Sequence, residues 1–204
     1  MTFTSLKYLL FFPTVFLIYW LMGKKNKNIQ NTIIVLASLV FYGFWNWKVL
    51  GLLLLTSLST FGASLWIQKL DSDRKRWWIS FFAIIFNLGL LIYFKYYNFF
   101  VRAFIDAFSL FGVTLSISTL KIILPVGISF YTFSNLSYSI DVYQRKMDAT
   151  KDLLAYLAYS TFFPSILSGP ILKASKHLPQ FFQKREFCYD MAVSACRAML
   201  WGGY

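Results

Sequence analysis

Charge, cysteine and histidine are all scarce in this 204-residue sequence. Only 14% of its residues are charged, with 8 Asp and Glu against 20 Lys and Arg. That is too little polar surface to clothe a soluble domain of this length. The two cysteines, Cys188 and Cys196, are eight positions apart. On a helix they would stand about 12 Å apart, which excludes a disulfide without distortion. The spacing is not that of a zinc-binding pair either, so both read as helix residues acting as small hydrophobes. The single histidine, His177, sits in KASKHLPQ without neighbours that would orient a general base, and it reads as solvated or facing lipid headgroups. No metal site is legible. Repeats of 20 to 50 residues and low-complexity tracts are also missing, which excludes a solenoid and removes the internal symmetry expected of many transporters.

What the chain does have is apolar mass: 58% hydrophobic residues, 21% aromatics and a mean hydropathy of +0.57. Six runs carry no charged side chain, namely Tyr8 to Gly23, Asn28 to Trp47, Val49 to Gln68, Trp77 to Phe94, Ile122 to Ile140 and Leu153 to Leu172. Each is about as long as the roughly 17 to 25 residues a membrane-spanning helix needs. The first is followed by Lys24, Lys25 and Lys27 rather than by a small-residue cleavage site, so it reads as a retained helix and not a signal peptide.

The net charge of +12 raises nucleic acid as a partner, but the basic residues come in short bursts between apolar runs and build no basic face. The bursts carry topology instead. They follow the first, third and fifth runs, while only Lys48 separates the second from the third. Basic loops stay cytoplasmic, which places the N-terminus outside. A full crossing by the sixth run would then put Lys173, Lys176, Lys184 and Arg185 outside. Pro164 and the pair Gly169 and Pro170 break that run, so it reads as a re-entrant element that returns to the cytoplasmic side. Between the fourth and fifth runs, Lys95, Asn98, Arg102, Asp106 and Ser109 recur at steps of three or four among aromatics, as in an amphipathic helix lying in the interface. Arg102 and Asp106 can pair there. Trp45, Trp47, Trp77 and Trp78 read as aromatic belts. The expected fold is therefore all-α: a polytopic integral membrane protein with about five spanning helices, a re-entrant broken helix and an interfacial helix, forming one membrane domain over residues 1–204.

The fifth and sixth runs hold the candidate functional residues. LPVGISFYTFSNLSYSIDVY contains Pro125, Gly127, Thr132, Asn135 and four serines, groups that lipid alone cannot satisfy. Tyr131, Asn135, Tyr138 and Tyr143 could offer hydrogen bonds to a ligand, although Tyr138 equally suits helix packing. Asp141 lies four residues before Arg145, the favourable order for an ion pair at the end of a span.

LPVGISFYTFSNLSYSIDVY, then FFPSILSGPILKAS and LPQF, resemble in order and spacing the membrane-bound O-acyltransferase family, in its bacterial branch of alginate-acetylating and teichoic-acid-alanylating membrane proteins. The resemblance runs over nearly the whole chain and aligns it with roughly the N-terminal half of a family member. It departs from the family at Ser134, where Gln is usual, at Gln144 and Arg145, where Arg-Gly is usual, and at Ser168, where Ala is commoner. It implies helices around a central channel, and transfer of an acyl group from a cytoplasmic thioester, such as acetyl-CoA, to an exported polysaccharide or a partner acetyltransferase outside. It implies an inner (plasma) membrane location and membrane lipid as surroundings. The residues of the fifth and sixth runs expected to line such a channel are Tyr131, Asn135, Asp141, Tyr143, Pro164, Ser168, Gly169, Pro170 and Lys173. A basic mouth of Arg145, Lys146, Lys173 and Lys176 would attract the anionic donor. The family's catalytic His belongs to a segment beyond Tyr204, so no catalytic residue carries over and no bound cofactor is expected. The chain reads as a partial sequence, inactive alone. A non-catalytic membrane scaffold and a transporter-like protein are the competing readings.

Overall fold

The computed structural model describes residues 6–23, 26–45, 47–109, 127–166 and 172–200, and among them the regular structure is entirely helical. Within the described residues nine α-helices follow one another: α1 (Leu6–Met22), α2 (Lys27–Trp45), α3 (Trp47–Lys69), α4 (Asp73–Ser109), α5 (Ile128–Tyr143), α6 (Leu153–Ser160), α7 (Phe163–Ile166), α8 (Ala174–His177) and α9 (Tyr189–Leu200), with a 3₁₀ turn at Leu178–Phe181. Among the described residues, Trp47–Lys69 and Asp73–Tyr97 are long and apolar enough to cross a membrane, and Leu10–Met22 is a shorter apolar helix.

The helices α3 and α5 form the centre, with α4 packed on both, α2 between α3 and α6, and α1 outermost against α2. The face of α3 that makes this possible is made of small polar residues: Thr56, Ser57, Thr60 and Ser64 are all buried. Residues four apart lie on one face, and small side chains let helix backbones approach closely. Thr56 and Thr60 satisfy their hydroxyls on carbonyls one turn back, at Leu52 and Thr56. Two apolar clusters fill the ends of the assembly. One gathers Tyr138, Tyr156, Tyr159, Ala174 and Leu178; the other gathers Phe41, Tyr42, Leu53, Ile128, Tyr131 and Phe163.

Backbone breaks fall where the local chemistry dictates. Gly127 precedes α5 with φ 74°, a left-handed conformation that suits glycine. Gly23 closes α1, where an added Cβ would collide with the Tyr19 carbonyl and the Gln30 side chain. The sixth apolar run is indeed divided: α6 starts on an Asp152 cap whose carboxylate accepts from the Ala155 N–H at 3.0 Å, and it stops at Thr161, ahead of Pro164 in α7.

Three expectations change. The amphipathic segment after the fourth run is no separate helix: α4 continues unbroken to Ser109, about 55 Å in all. Residues 95–109 contain neither Gly nor Pro, so nothing interrupts the backbone ladder. The pairing expected of Arg102 with Asp106 involves side chains outside the described ones. Lys48 belongs to the first turn of α3 rather than to a loop. Cys196 lies in α9 and Cys188 just before it, and both are exposed rather than packed.

Candidate functional site

The polar residues of α5 converge on α6 and on the start of α8. Asn135 is fully buried and accepts the Tyr156 hydroxyl at 2.9 Å on its Oδ1. Thr60 of α3 lies beside the same Tyr156 hydroxyl and accepts from Asn87 of α4 at 3.1 Å, so four helices share one polar seam. Tyr159 stands one turn along α6 from Tyr156. Its hydroxyl reaches the Ser134 carbonyl at 3.1 Å and the Leu172 carbonyl at 2.7 Å. Tyr138 accepts the Thr150 N–H at 2.9 Å and packs its ring on Tyr156 with centroids 4.7 Å apart.

The seam is incompletely satisfied. Ser57 and Ser64 on α3, Asn87 Oδ1 on α4, and Tyr131 OH, Asn135 Nδ2 and Ser139 Oγ on α5 are buried without a hydrogen bond to the described residues, as is Tyr42 OH on α2 near Tyr131. Buried polar atoms ordinarily find partners, so such a concentration on four packed helices marks a place suited to further polar contact, water included.

Asp141 was expected to pair with Arg145 and does not. The helix ends at Tyr143, and Arg145 adopts φ 57°, which throws its side chain away from the α5 face. Arg145 instead meets Asp73 at 3.1 Å in an exposed pair. Asp141 is buried and accepts the Ser175 N–H at 3.2 Å, while Ser137 accepts the Ala174 N–H at 3.0 Å. These two α5 side chains thus supply the start of α8 with acceptors that Lys173, its own capping residue, does not provide. Lys173 and Lys176 are exposed at this end of the molecule, as are Arg145 and Lys146 beyond α5.

Of the sequence-derived site residues, the structure brings Asn135, Asp141 and the backbone after Lys173 into one region. Tyr131 lies on the same helix toward the opposite end. Tyr143 is half-buried in a groove against Trp77, Ser80 and Phe81 of α4, and Pro164 lines a separate cleft against α1. Ser168, Gly169 and Pro170 lie outside the described residues. His177 is half-buried in the Pro164 cleft rather than freely solvated. No group of three or more His, Cys, Asp or Glu that could hold a metal occurs among the described residues.

Sequence reasoning missed Arg76. Read as one of a burst of topology charges, it is buried in the first turn of α4 and donates to the carbonyls of Ile67 at 3.1 Å, Val142 at 3.3 Å and Tyr143 at 3.1 Å. One guanidinium therefore reaches the last turns of both α3 and α5, adding a second donor to the Ile67 and Val142 carbonyls, which the Leu70 and Arg145 N–H groups also reach, and supplying one to Tyr143. It also missed Tyr156 and Tyr159, whose spacing of three on a short helix was the available signal.

A helical membrane protein with a buried polar seam and a broken apolar run is the class these observations define. Comparison with known proteins gives the class its family. The chain is 33% identical over 99% of its length to a protein of Pseudomonas aeruginosa named "Probable alginate O-acetylase AlgI". It is 32% identical over 85% of its length to a "Peptidoglycan O-acetyltransferase" of Helicobacter pylori. A Pseudomonas putida relative bearing the first name matches at 32% over 99% of the chain. The chain belongs to the membrane-bound O-acyltransferase family. It spans about two fifths of these relatives' length, covering 38%, 37% and 41% of them respectively. No protein-family profile and no solved structure matches it.

Proposed function

We propose that the chain forms one wall of a path through the membrane along which an acetyl group passes from a cytoplasmic thioester to a hydroxyl of an exported polysaccharide or of a partner acetyltransferase outside. The observation that carries this reading is the under-satisfied polar face of α5, with Tyr131, Asn135 and Ser139 buried and short of partners. O-acetylation is what the names of its relatives describe. In the proposed role, Asn135 and Tyr131 offer hydrogen bonds along the path, and Asp141 holds the start of α8, where Lys173 and Lys176 are exposed. Exposed Lys146, Lys173 and Lys176 draw the phosphate groups of acetyl-CoA or another anionic thioester donor toward the cytoplasmic end. The N-terminus lies outside the inner membrane in this arrangement, and the segment from α6 to α8 dips into the bilayer and returns.

The chemistry needs a base. The acceptor oxygen attacks the thioester carbonyl carbon, the carbon–sulfur bond breaks, the thiolate leaves, and the hydroxyl proton goes to a general base such as an imidazole. His177 lines a different cleft from the α5 seam, so residues outside 1–204 supply that base in this reading. The test is transfer of labelled acetyl groups from acetyl-CoA to an oligosaccharide in membranes holding the 204-residue chain alone. No transfer is expected. Transfer that disappears with His177→Ala would overturn the assignment.

A further inference from the structure

Two apolar clefts open beside α1 and share one cation, Arg185, with Lys184 and Glu186 also lining the first. The first, about 580 Å³, is walled by Leu17, Leu21 and Phe187; the second, about 510 Å³, by Phe12, Val15 and Pro164. Both are bounded by Phe16, Trp20 and Arg185. Each lies within the range of about 300 to 1,000 Å³ usual for ligand sites.

Arg185 is unusually prepared. Its Nε donates to Gln30 Oε1 at 3.3 Å and its Nη2 to Asn31 Oδ1, while Gln30 in turn donates to the Arg185 carbonyl at 2.7 Å. The guanidinium lies over the rings of Tyr19 and Phe181, at 5.6 and 5.1 Å from their centroids. Among the described residues no carboxylate stands within ion-pair distance of it; the neighbouring Glu186 pairs with Lys184 at 3.6 Å, on the exposed rim. Burial pulls the Arg185 guanidinium below its ordinary range, a cost that an anion placed there would offset. His177 and Gln180 complete the edge of the second cleft.

We propose that this double cleft binds an anionic diacyl phospholipid, with the headgroup phosphate on Arg185 and one acyl chain in each lobe. The pairing of two apolar lobes with a single preorganised cation matches two hydrocarbon chains on one anionic headgroup, and neither a free anion nor a neutral lipid uses both features. The site is distinct from the α5 seam and stands whether or not acetyl transfer is the chain's activity.

Nanodiscs of phosphatidylcholine with phosphatidylglycerol added, analysed by native mass spectrometry, test it. The chain should retain phosphatidylglycerol over phosphatidylcholine by about tenfold. Arg185→Gln should abolish the preference and Arg185→Lys recover part of it. Val15→Trp, which fills the second lobe and leaves the guanidinium's partners in place, should release the lipid. In the unsubstituted chain, phosphatidylglycerol brominated on its acyl chains should quench tryptophan emission more than the brominated phosphatidylcholine does, and Trp20→Phe should remove that difference. Equal retention of the two lipids, an unchanged preference in Arg185→Gln, or displacement of the lipid by inorganic phosphate alone would overturn the proposal. So would absence of retained lipid in a longer form of the chain, which would show that protein fills the cleft.

Discussion

Neighbouring helices α4 and α5 solve opposite problems. Along α4, large apolar side chains point outward: Trp77, Trp78, Phe82, Ile85, Phe86, Ile92 and Tyr93 are all exposed, while the polar Ser80 and Asn87 are buried. On α5 the buried set includes Thr132, Ser134, Asn135, Ser139 and Asp141, and Phe133 is the exposed large hydrophobe. The first helix uses lipid as its solvent and needs only length and apolar surface. The second cannot turn its polar face to lipid, because those groups would go unmatched there. In these two helices, burial follows polarity in the direction opposite to a water-soluble fold, and the helix with the larger set of buried polar residues packs at the centre.

The contrast is sharpened most by Arg76, the α4 residue that holds the end of α5. Arg76→Met takes a buried donor from three carbonyls, of which Ile67 and Val142 keep the Leu70 and Arg145 N–H groups and Tyr143 is left without one, and should lower unfolding stability in detergent by about 1 to 3 kcal/mol, with Arg76→Lys recovering part. An unchanged melting temperature in Arg76→Met would break the link between the two helices. Asn135→Leu comes next. It removes the Asn135 acceptor of the Tyr156 hydroxyl and leaves Thr60 beside it, costing about 1 to 3 kcal/mol, and acetyl transfer measured in a longer, active form should fall by roughly a hundredfold if the seam positions substrate. A stability loss with transfer intact would make the seam purely structural. Asp141→Asn keeps an acceptor for the Ser175 N–H but removes its charge, and should cost about 1 kcal/mol by the same thermal measurement. The smallest effects belong to the outward face. Phe82→Leu on α4 should shift stability by no more than about 0.5 kcal/mol, and Arg145→Gln, which removes an exposed ion pair, by a similar amount. A large effect of Phe82→Leu would show that protein rather than lipid covers that face.

Much of this division could be read in the sequence. The charge-free runs located the helices, because membrane spans need continuous apolar stretches, and the serines, Asn135 and Asp141 marked α5 as a helix unsuited to lipid. Pro164 announced a broken sixth run. The pairings were not legible, because they join positions far apart in the chain. Asp141 and Arg145 satisfied the local rule for a helical ion pair, yet α5 ends between them and each found a distant partner. Arg76 looked like any juxtamembrane charge; its burial depends on three carbonyls, two of them more than sixty residues downstream. Likewise the Gln30 and Asn31 contacts with Arg185 cross over 150 positions, and no periodicity encodes them.

Arg76 also sets an order of assembly in time. Its bond to Ile67 spans nine residues and is available as soon as α3 and the start of α4 exist, whereas its bonds to Val142 and Tyr143 wait for a stretch 66 and 67 residues further on. At synthesis rates of about 5 to 20 residues per second, that interval is on the order of 3 to 13 s. Through it the guanidinium is held on one side only and must remain near water. The arrival of α5 completes its partners and carries it into the interior, so the last helix to reach the centre is the one that locks the two before it.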